Sequence, residues 1–481
     1  MAIPNECIAS LCGLRLVRVP SLLRLAILVC IGISARTGNA FELATEGVVG
    51  VIRTDNASPG SAQESAATLG TLRVGAELRS LTPRLAIDLD TSMTHFEYLE
   101  DGNDSETLPQ ISGTATWQIM PERLNWSVRE EYGQVGGLNF GEIRPVDRDD
   151  VSYFTTGPTL TLPLGSRNSF EVSGTYSDVN SSGVSLDSTR YMGSAQLLRR
   201  VSDRRTVGAL YSFTKIEYDG VVAFDGYDRS VAAVTFESVA RRGTIVAQLG
   251  LSKVSQPGGG DDTSPLFALT ITRRLGARNA LAFVVSSQSS DAADAFRDGI
   301  GGSIASGGDT ALPVNAEPFV VDSTSLEWNY AAVRFSAQAR MLYEKERYQG
   351  SALAGRQRTG ALAAGSYRWS SRSESGASIQ YQSNSSVDPV FDDRSWGLSL
   401  SHSLRIASNL YGMVNYTRFD RDRNTSVFSQ SENRWMLSIS YLPSPFTIGR
   451  PVDTERQSLQ RGMRRRAVGG DLSAPESADA P

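Results

Sequence analysis

Hydrophobic and polar residues alternate along most of the chain, and the segment Ala332–Glu344 shows the pattern most clearly. One set of alternate positions is apolar, from Val333 to Tyr343, and the other is largely polar, from Arg334 to Glu344. A period of two over this length predicts an extended strand with one apolar and one polar face. About eleven residues, tilted by ~45°, would climb roughly 25 Å, which matches the apolar band of a membrane barrel.

The same alternation recurs in other segments between Glu46 and Leu442. The predicted strands, twenty in all, are Gly47–Arg53, Leu69–Arg79, Arg84–His95, Leu108–Ile119, Arg123–Gly133, Val151–Leu164, Ser169–Asp178, Thr189–Arg199, Arg205–Tyr218, Asp228–Ser238, Gly243–Val254, Ser264–Arg274, Ala280–Ser289, Phe319–Tyr330, Ala332–Glu344, Arg358–Trp369, Ser375–Ser383, Ser395–Arg405, Asn409–Phe419 and Arg434–Leu442.

The connections between these segments alternate in length. Connections after even-numbered strands are short, as at residues 81–83, whereas those after odd-numbered strands are long and polar, as at Asp55–Ala66. Short turns on one side and long loops on the other are typical of membrane barrels. We therefore predict an all-β fold, a transmembrane up-and-down antiparallel β-barrel of about 20 strands (range roughly 16–20), with both termini periplasmic.

All six tryptophans fall within predicted strands, at 117, 126, 328, 369, 396 and 435. An interfacial girdle of a membrane barrel would place them there. The alternative is that they form the core of a soluble β protein.

The first 40 residues differ from the rest of the chain. Three arginines precede the short apolar run Leu25–Ile33, and small residues surround a possible cleavage point after Ala40. This order predicts a secretory signal peptide over residues 1–40. The alternative is a lipoprotein signal that uses Cys30. Cleavage near Ala40 would deliver the chain to the outer membrane of a Gram-negative cell, where lipid is its first expected partner.

Composition narrows the possible partners and chemistry. All three cysteines, Cys7, Cys12 and Cys30, lie in the predicted signal, so the mature chain would hold no disulfide or thiol site. Removing four arginines and one glutamate with the signal leaves 43 basic and 51 acidic residues. A net charge of −8 argues against nucleic acid as a partner.

The polar faces of several predicted strands carry charges of both signs. An arginine facing lipid would cost roughly 2–4 kcal/mol at the midplane, so these faces are expected to point into the lumen. The predicted pore-lining residues are Arg73, Glu77, Arg84, Asp88, Arg129, Glu131, Arg334, Gln338, Arg340 and Arg368.

Two segments outside the alternating pattern have open interpretations. The connection Ser290–Glu317 is long and rich in glycine, so it either folds into the lumen and narrows it or forms an external loop. Residues 443–481 are polar and contain the basic run RGMRRR at 461–466. We predict a flexible periplasmic tail, whose basic run touches a cell-wall polymer or partner, or is simply solvated.

Few residues of the chain suggest catalytic or metal-binding chemistry. His402 lies on an apolar face between Ser401 and Ser403, and a membrane-embedded serine hydrolase could use such a histidine as its base. Asp420, Asp422 and Asn424 have calcium-loop spacing but lack the glycine and glutamate of an EF-hand. We predict no catalytic, cofactor-binding or metal site, and we do not expect an enzyme.

Three segments near the start of the predicted barrel carry a family resemblance: VVGVIRTDN at 48–56, LRVGAELRS at 72–80 and LAIDLDTSMTHFEY at 85–98. A hairpin of similar cadence follows at 187–219. The mature chain resembles porin-type outer-membrane β-barrel proteins that are associated with exopolysaccharide and PEP-CTERM systems of Gram-negative bacteria. The resemblance implies a role in polysaccharide assembly or export beside export proteins, and it brings no catalytic residues.

Two hypotheses about the function assign the chain to different classes of protein. The first is a hydrophilic, porin-like conduit associated with exopolysaccharide assembly or export. The second is a non-transporting envelope scaffold for a polysaccharide or surface-protein machine. A membrane-embedded hydrolase is the more distant alternative.

Overall fold

The computed structural model describes residues 41–448, except 57–65, 82–83, 101–104, 137–147, 183–186, 220–225, 258–259, 296, 298–316, 349–354, 387–391 and 424–429. The described strands are β1 (Phe41–Thr54), β2 (Ala67–Leu81), β3 (Leu85–Tyr98), β4 (Glu106–Met120), β5 (Leu124–Gly136), β6 (Arg148–Pro163), β7 (Asn168–Ser181), β8 (Ser188–Ser202), β9 (Arg205–Tyr218), β10 (Gly226–Ala240), β11 (Gly243–Ser255), β12 (Asp261–Arg274), β13 (Asn279–Ser290), β14 (Phe319–Ala331), β15 (Phe335–Tyr348), β16 (Arg356–Arg368), β17 (Ser373–Ser386), β18 (Asp393–Arg405), β19 (Leu410–Arg423), β20 (Gln430–Tyr441) and β21 (Phe446–Ile448).

Strands β1 to β20 form one closed antiparallel barrel. Each strand pairs with the next in the sequence, and β1 pairs with β2 on one side and β20 on the other. At the closure, Val51 of β1 lies opposite Leu437 of β20. The predicted fold class, an up-and-down barrel of about 20 strands, is confirmed.

The two ends of the barrel differ in the length of their connections. Connections at one end, here called the turn end, contain two to four residues, whereas those at the other, the loop end, contain five to 28. The start of β1 and the end of β20 both lie at the turn end. The predicted alternation of short turns and long loops is therefore present.

Side chains alternate between the two faces of the wall, and the register carries each face from strand to strand. Outer-face residues are large, apolar and exposed, and Leu249, Met341 and Leu437 each expose more than half of their surface. Inner-face residues are mostly polar, as in Ser323, Glu344 and Arg358, which the register aligns across β14, β15 and β16. A soluble protein rarely exposes so many apolar groups, so this outer face suits lipid.

Most strands begin or end at other residues than predicted, and two of these differences move predicted pore-lining arginines out of strands. Strand β15 begins at Phe335, and Arg334 lies exposed in the preceding turn, which the Ala332 amide closes by donating to the Phe335 carbonyl at 2.8 Å. Likewise, β3 begins at Leu85, and Arg84 lies exposed in the turn before it. Polarity continues to alternate through both turns, and for this reason the sequence pattern did not reveal the strand starts.

The barrel wall also extends beyond the predicted end of the strands at Leu442. Strand β21 pairs with the first residues of β1, with Phe446 opposite Leu43 and Ile448 opposite Phe41. Residues 446–448 of the predicted tail therefore belong to the wall. The predicted signal, residues 1–40, and the tail from residue 449 lie outside the described residues. In the described part, no helix is long and apolar enough to span a membrane.

Apolar side chains also pack inside the barrel at the loop end. One cluster contains Ile216, Tyr218, Tyr227 and Val254, from β9 to β11. Beside the closure, a second cluster contains Ile52, Ala67, Leu69 and Phe96. The inner wall is thus mainly polar, with apolar clusters at the loop end and a smaller one at the turn end, formed by Ala44, Tyr411 and Leu442.

Candidate functional site: the inner wall and an inward segment at the loop end

Eight of the predicted pore-lining residues lie on strands, and all eight are on the inner face. They are Arg73, Glu77, Asp88, Arg129, Glu131, Gln338, Arg340 and Arg368. The other two, Arg84 and Arg334, lie in turns at the turn end. Arg340 lies near the middle of β15, opposite Glu327 of β14, so residues of opposite charge occupy directly opposite positions about halfway along the wall.

The inner-face arginines of β2 and β5 lie beside carboxylates. Arg79 is 2.9 Å from Glu77 and 3.6 Å from Asp88. Arg129 is 3.0 Å from Glu131 on the same strand. Charges of opposite sign on one face of a sheet stabilise each other and keep the surface hydrophilic.

Sequence reasoning missed a second set of ion pairs on the inner face toward the loop end. Arg358 contacts Glu344 at 2.8 Å, and Arg356 contacts Glu346 at 2.5 Å. Farther round the barrel, Arg421 of β19 pairs with Asp393 of β18. The alternation would have placed these side chains inward, but the pairing depends on the register between strands, which a single sequence does not state.

The connection after β13 turns into the barrel. Residues 292–295 form a single helical turn, and Ala292 and Ala293 are fully buried. Asp291 begins this turn, because its carboxylate accepts a hydrogen bond from the Asp294 amide at 2.8 Å. An aspartate in this position satisfies a backbone donor that a short helix would otherwise leave open. Residues 291–295 and Arg297 are called the inward segment below.

The two carboxylates of the inward segment bind arginines of two other wall strands, β8 and β10. Arg190 of β8 contacts Asp291 at 3.0 Å and Asp294 at 3.1 Å. Arg229 of β10 contacts Asp294 at 3.1 Å, and the Tyr227 hydroxyl donates to Asp291 at 2.5 Å. These contacts fix the inward segment at the loop end, against strands three to five positions away from β13.

Aromatic and cationic groups complete this cluster. The guanidinium groups of Arg190 and Arg297 lie 5.7 and 5.5 Å from the ring centre of Tyr153 on β6. Burial alone would raise the pKa of Asp294, but the guanidinium groups of Arg229, Arg190 and Arg297 outweigh it and hold the pKa well below its usual range. The Asp294 carboxylate therefore stays charged in neutral and mildly acidic solution.

The sequence left open whether the connection Ser290–Glu317 folds into the lumen or forms an external loop, and the inward segment is part of this connection. The first residues of the connection Ser290–Glu317 do fold into the barrel and narrow its loop end. The glycine-rich part of this connection, at residues 301–308, lies outside the described residues. The two aspartates that hold the segment were not identified from the sequence, although the DAADAFR run at 291–297 was a signal.

The structure places His402 on the outer face near the turn end. Its Nδ1 is 2.8 Å from the Ser375 hydroxyl and its Nε2 is 3.4 Å from the Ser373 hydroxyl. Its hydrogen-bond partners in the described part of the chain are thus serines, whereas a Ser–His catalytic pair is normally oriented by an acid. Among the described residues, no group of three or more potential ligands could hold a metal ion.

No protein-family model matches the sequence, and no curated protein is significantly similar to it. Similar solved structures include OccK5 (OpdH) of Pseudomonas aeruginosa, with 10% identity, a TM-score of 0.35, and coverage of 84% of this chain and 98% of that one. They also include the FrpB iron transporter of Neisseria meningitidis, with 9% identity, a TM-score of 0.46, and coverage of 84% and 81%. The ferric citrate transporter FecA has 13% identity, a TM-score of 0.40, and coverage of 84% and 79%. At this level of similarity, the architecture rests on the strand pairing described above.

Proposed function

We propose that this chain is an outer-membrane barrel that encloses a hydrophilic conduit. The observation that carries the proposal is the contrast between the two faces of the wall. The outer face is apolar and exposed, whereas the inner face holds ion pairs from Glu77 and Arg79 near the turn end to Arg356 and Glu346 near the loop end. A barrel of this many strands encloses more space than side chains fill.

The proposed orientation places the turn end in the periplasm and the loop end outside the cell. Two single-cysteine variants test it, because the predicted mature chain contains no cysteine. Asp261→Cys lies at the loop end and Arg167→Cys in a short turn. A membrane-impermeant thiol reagent should label only the first in intact cells, and equal labelling of both would reject this orientation.

Single-channel conductance of the purified protein in planar bilayers tests the conduit. We expect steady ion conductance, since the inner wall carries charged groups from the turn end to the loop end. The alternative, a non-transporting envelope scaffold, predicts a folded barrel that does not conduct.

We further propose that the conduit serves exopolysaccharide assembly or export. The resemblance of the strands at 48–98 supports this substrate class, and so does a neutral stretch of inner wall on β10 to β12. That stretch contains Thr235 and Gln248, which lie opposite each other and whose hydroxyl and amide groups can hydrogen-bond to sugars. Export proteins of the same system are the proposed partners.

Release of labelled oligosaccharides from liposomes tests the substrate class. The proposal expects neutral oligosaccharides to leave barrel-containing liposomes faster than uncharged polymers of similar size that offer few hydrogen-bonding groups. Equal release rates would reject saccharide preference and leave a general conduit.

A further inference from the structure

At the loop end, two arginines of the inner wall take their negative partners from outside the wall. Among the described inner-face residues on the loop-end half of β8 to β11, only Arg190 and Arg229 are charged. The register places them in adjacent rows of the inner face, with β9 between their strands. The carboxylates that they contact, Asp291 and Asp294, both belong to the inward segment.

Other ion pairs of the inner face join two residues of the wall. Arg358 contacts Glu344 on the neighbouring strand, and Arg421 likewise pairs with Asp393. Such pairs form as soon as the strands are in register. The side chain of Arg190 is only 4% exposed, and a buried guanidinium is stable only beside negative or accepting groups. The wall around Arg190 is therefore complete only when another group supplies carboxylates.

Side chains of the wall donate to both carboxylates of the inward segment. Nη1 of Arg190 contacts both of them, so the two carboxylates lie close together. The Tyr227 hydroxyl donates to Asp291. The Tyr153 hydroxyl donates to Asp294 at 3.5 Å. Guanidinium and hydroxyl donors in one place suit carboxylate ligands. The donors from the wall, called the wall site below, are Arg190, Arg229, Tyr153 and Tyr227.

We propose that the wall site binds a solute that carries two neighbouring carboxylates, and that Asp291 and Asp294 occupy it in the absence of solute. The wall site rests on the proposed conduit, since a solute reaches it through the lumen, and it gives the loop end a class of solute. Acidic oligosaccharides and small dicarboxylates both have this chemistry, and the titration below separates them. The inward segment can leave without unpairing a strand, because it begins after the last residue of β13.

The tethered aspartates compete with a free solute. A segment joined directly to β13 has a high effective concentration at the wall site, so the wild-type protein should bind a free dicarboxylate weakly. The apparent affinity falls with the fraction of sites that are open. Replacing Asp291 and Asp294 by asparagine removes the competing charges and leaves the wall site unchanged. The affinity for the solute should then rise by about tenfold or more.

Calorimetric titration of the purified, processed barrel in detergent tests this competition. The probe is trigalacturonate, and the matched control is the same trisaccharide with its carboxylates methyl-esterified. We expect weak binding to wild type, tighter binding to the Asp291→Asn, Asp294→Asn variant, and no binding of the ester. Adding Arg190→Gln to that variant should abolish binding, whereas adding Arg347→Gln on the outer face should not change it. Circular dichroism checks that each variant keeps its strands.

Three results would overturn the wall site. They are no binding of trigalacturonate to either wild type or the asparagine variant, equal binding after Arg190→Gln, and equal binding of the ester. Glutarate, a small dicarboxylate, separates the two sources of carboxylates. Tighter binding of trigalacturonate than of glutarate assigns the wall site to an acidic oligosaccharide, and the reverse assigns it to small dicarboxylates.

A thiol in the inward segment reports whether the solute displaces it. Ala292 is only 1% exposed, and the predicted mature chain contains no cysteine. We expect trigalacturonate, and not its ester, to increase several-fold the rate at which a water-soluble thiol reagent modifies Ala292→Cys. Binding without faster modification would contradict displacement of the inward segment.

Neither measurement requires conduction. A barrel that binds trigalacturonate at Arg190 but does not conduct would contradict only the proposed conduit. A barrel that conducts but does not bind trigalacturonate or glutarate would contradict only the wall site.

Discussion

The two ends of the lumen compensate their charges in different ways. At the loop end, arginines of the wall contact the two aspartates of the inward segment. At the turn end, the ion pairs lie within the wall itself, since Arg79 of β2 is 2.9 Å from Glu77 on the same strand and 3.6 Å from Asp88 on β3. Ion pairs within the wall depend on the register of neighbouring strands, whereas those at the loop end also depend on the path of the segment that follows β13.

The largest expected effect is at the loop end. Arg190→Ala would leave Asp291 and Asp294 buried without their shared partner, and removing one member of a buried ion pair costs about 3–5 kcal/mol. The inward segment should then leave the lumen and become sensitive to protease, while the barrel keeps its strands. Limited proteolysis checks this outcome. The control is Arg347→Ala, which breaks an exposed pair with Asp322 and should change little. Equal protease resistance of Arg190→Ala and wild type would show that Arg190 does not hold the inward segment in place.

A smaller effect is expected from removing the Tyr227 hydroxyl, which donates a hydrogen bond to Asp291. Tyr227→Phe removes the hydrogen bond to Asp291 and should weaken the inward segment by about 1.5–3 kcal/mol, because the acceptor is charged. Protease sensitivity should rise, but less than in Arg190→Ala. Tyr211→Phe, on the exposed outer face of β9, is the matched control and should behave as wild type. Equal protease sensitivity of Tyr227→Phe and Tyr211→Phe would show that the Tyr227 hydroxyl does not help to hold the inward segment.

Acid should weaken the loop end only far below neutral pH. The pKa of Asp294 is held below its usual range, so its stabilising contribution is complete above the ordinary aspartate range, near pH 4, and is lost as pH falls further through the lowered value. Protease resistance of the inward segment should therefore be equal at pH 8 and pH 5 and decrease at about pH 3 or below. Release of the segment between pH 8 and pH 5 would mean that another group controls it.

The smallest expected effect lies between the two ends. Arg340→Glu places a second carboxylate opposite Glu327 near mid-height and should shift ion selectivity modestly toward cations. The shift should be small because the other ion pairs of the wall still balance their charges. Reversal potentials in a salt gradient measure it, and Lys345→Glu on the outer face is the control. A shift in the control as large as in Arg340→Glu would contradict the assigned inner face.

The sequence predicted the barrel well because the fold depends on two periodic signals. Strict alternation of apolar and polar residues marks each strand, as in Val207 to Phe213 of β9, and the lengths of the connections mark the two ends. Boundaries were less accurate where the alternation runs through a turn, as at Val333 and Arg334, since periodicity alone does not show where hydrogen bonding to the next strand begins.

The sites were harder to predict than the fold. The inner face followed from the alternation, so the sequence placed Arg129 and Arg340 on the correct face. The loop-end cluster was not, because it joins β8 and β10 to a segment about 60 to 100 residues later in the chain. Contacts of that kind depend on which strands lie near each other around a closed barrel. They become visible only when the register of every intervening strand is known.

The central claim is that β1 to β20 surround a water-filled passage with the assigned inner face, and cysteine scanning of β15 tests it most directly. Single cysteines at 337, 338, 339, 340, 341 and 342 sample the two faces alternately in the middle of the strand. We expect a small, membrane-impermeant thiol reagent to modify the cysteines at 338, 340 and 342 in membrane-inserted protein and not those at 337, 339 and 341. Modification of the odd-numbered positions alone, or of none of the six, would contradict it.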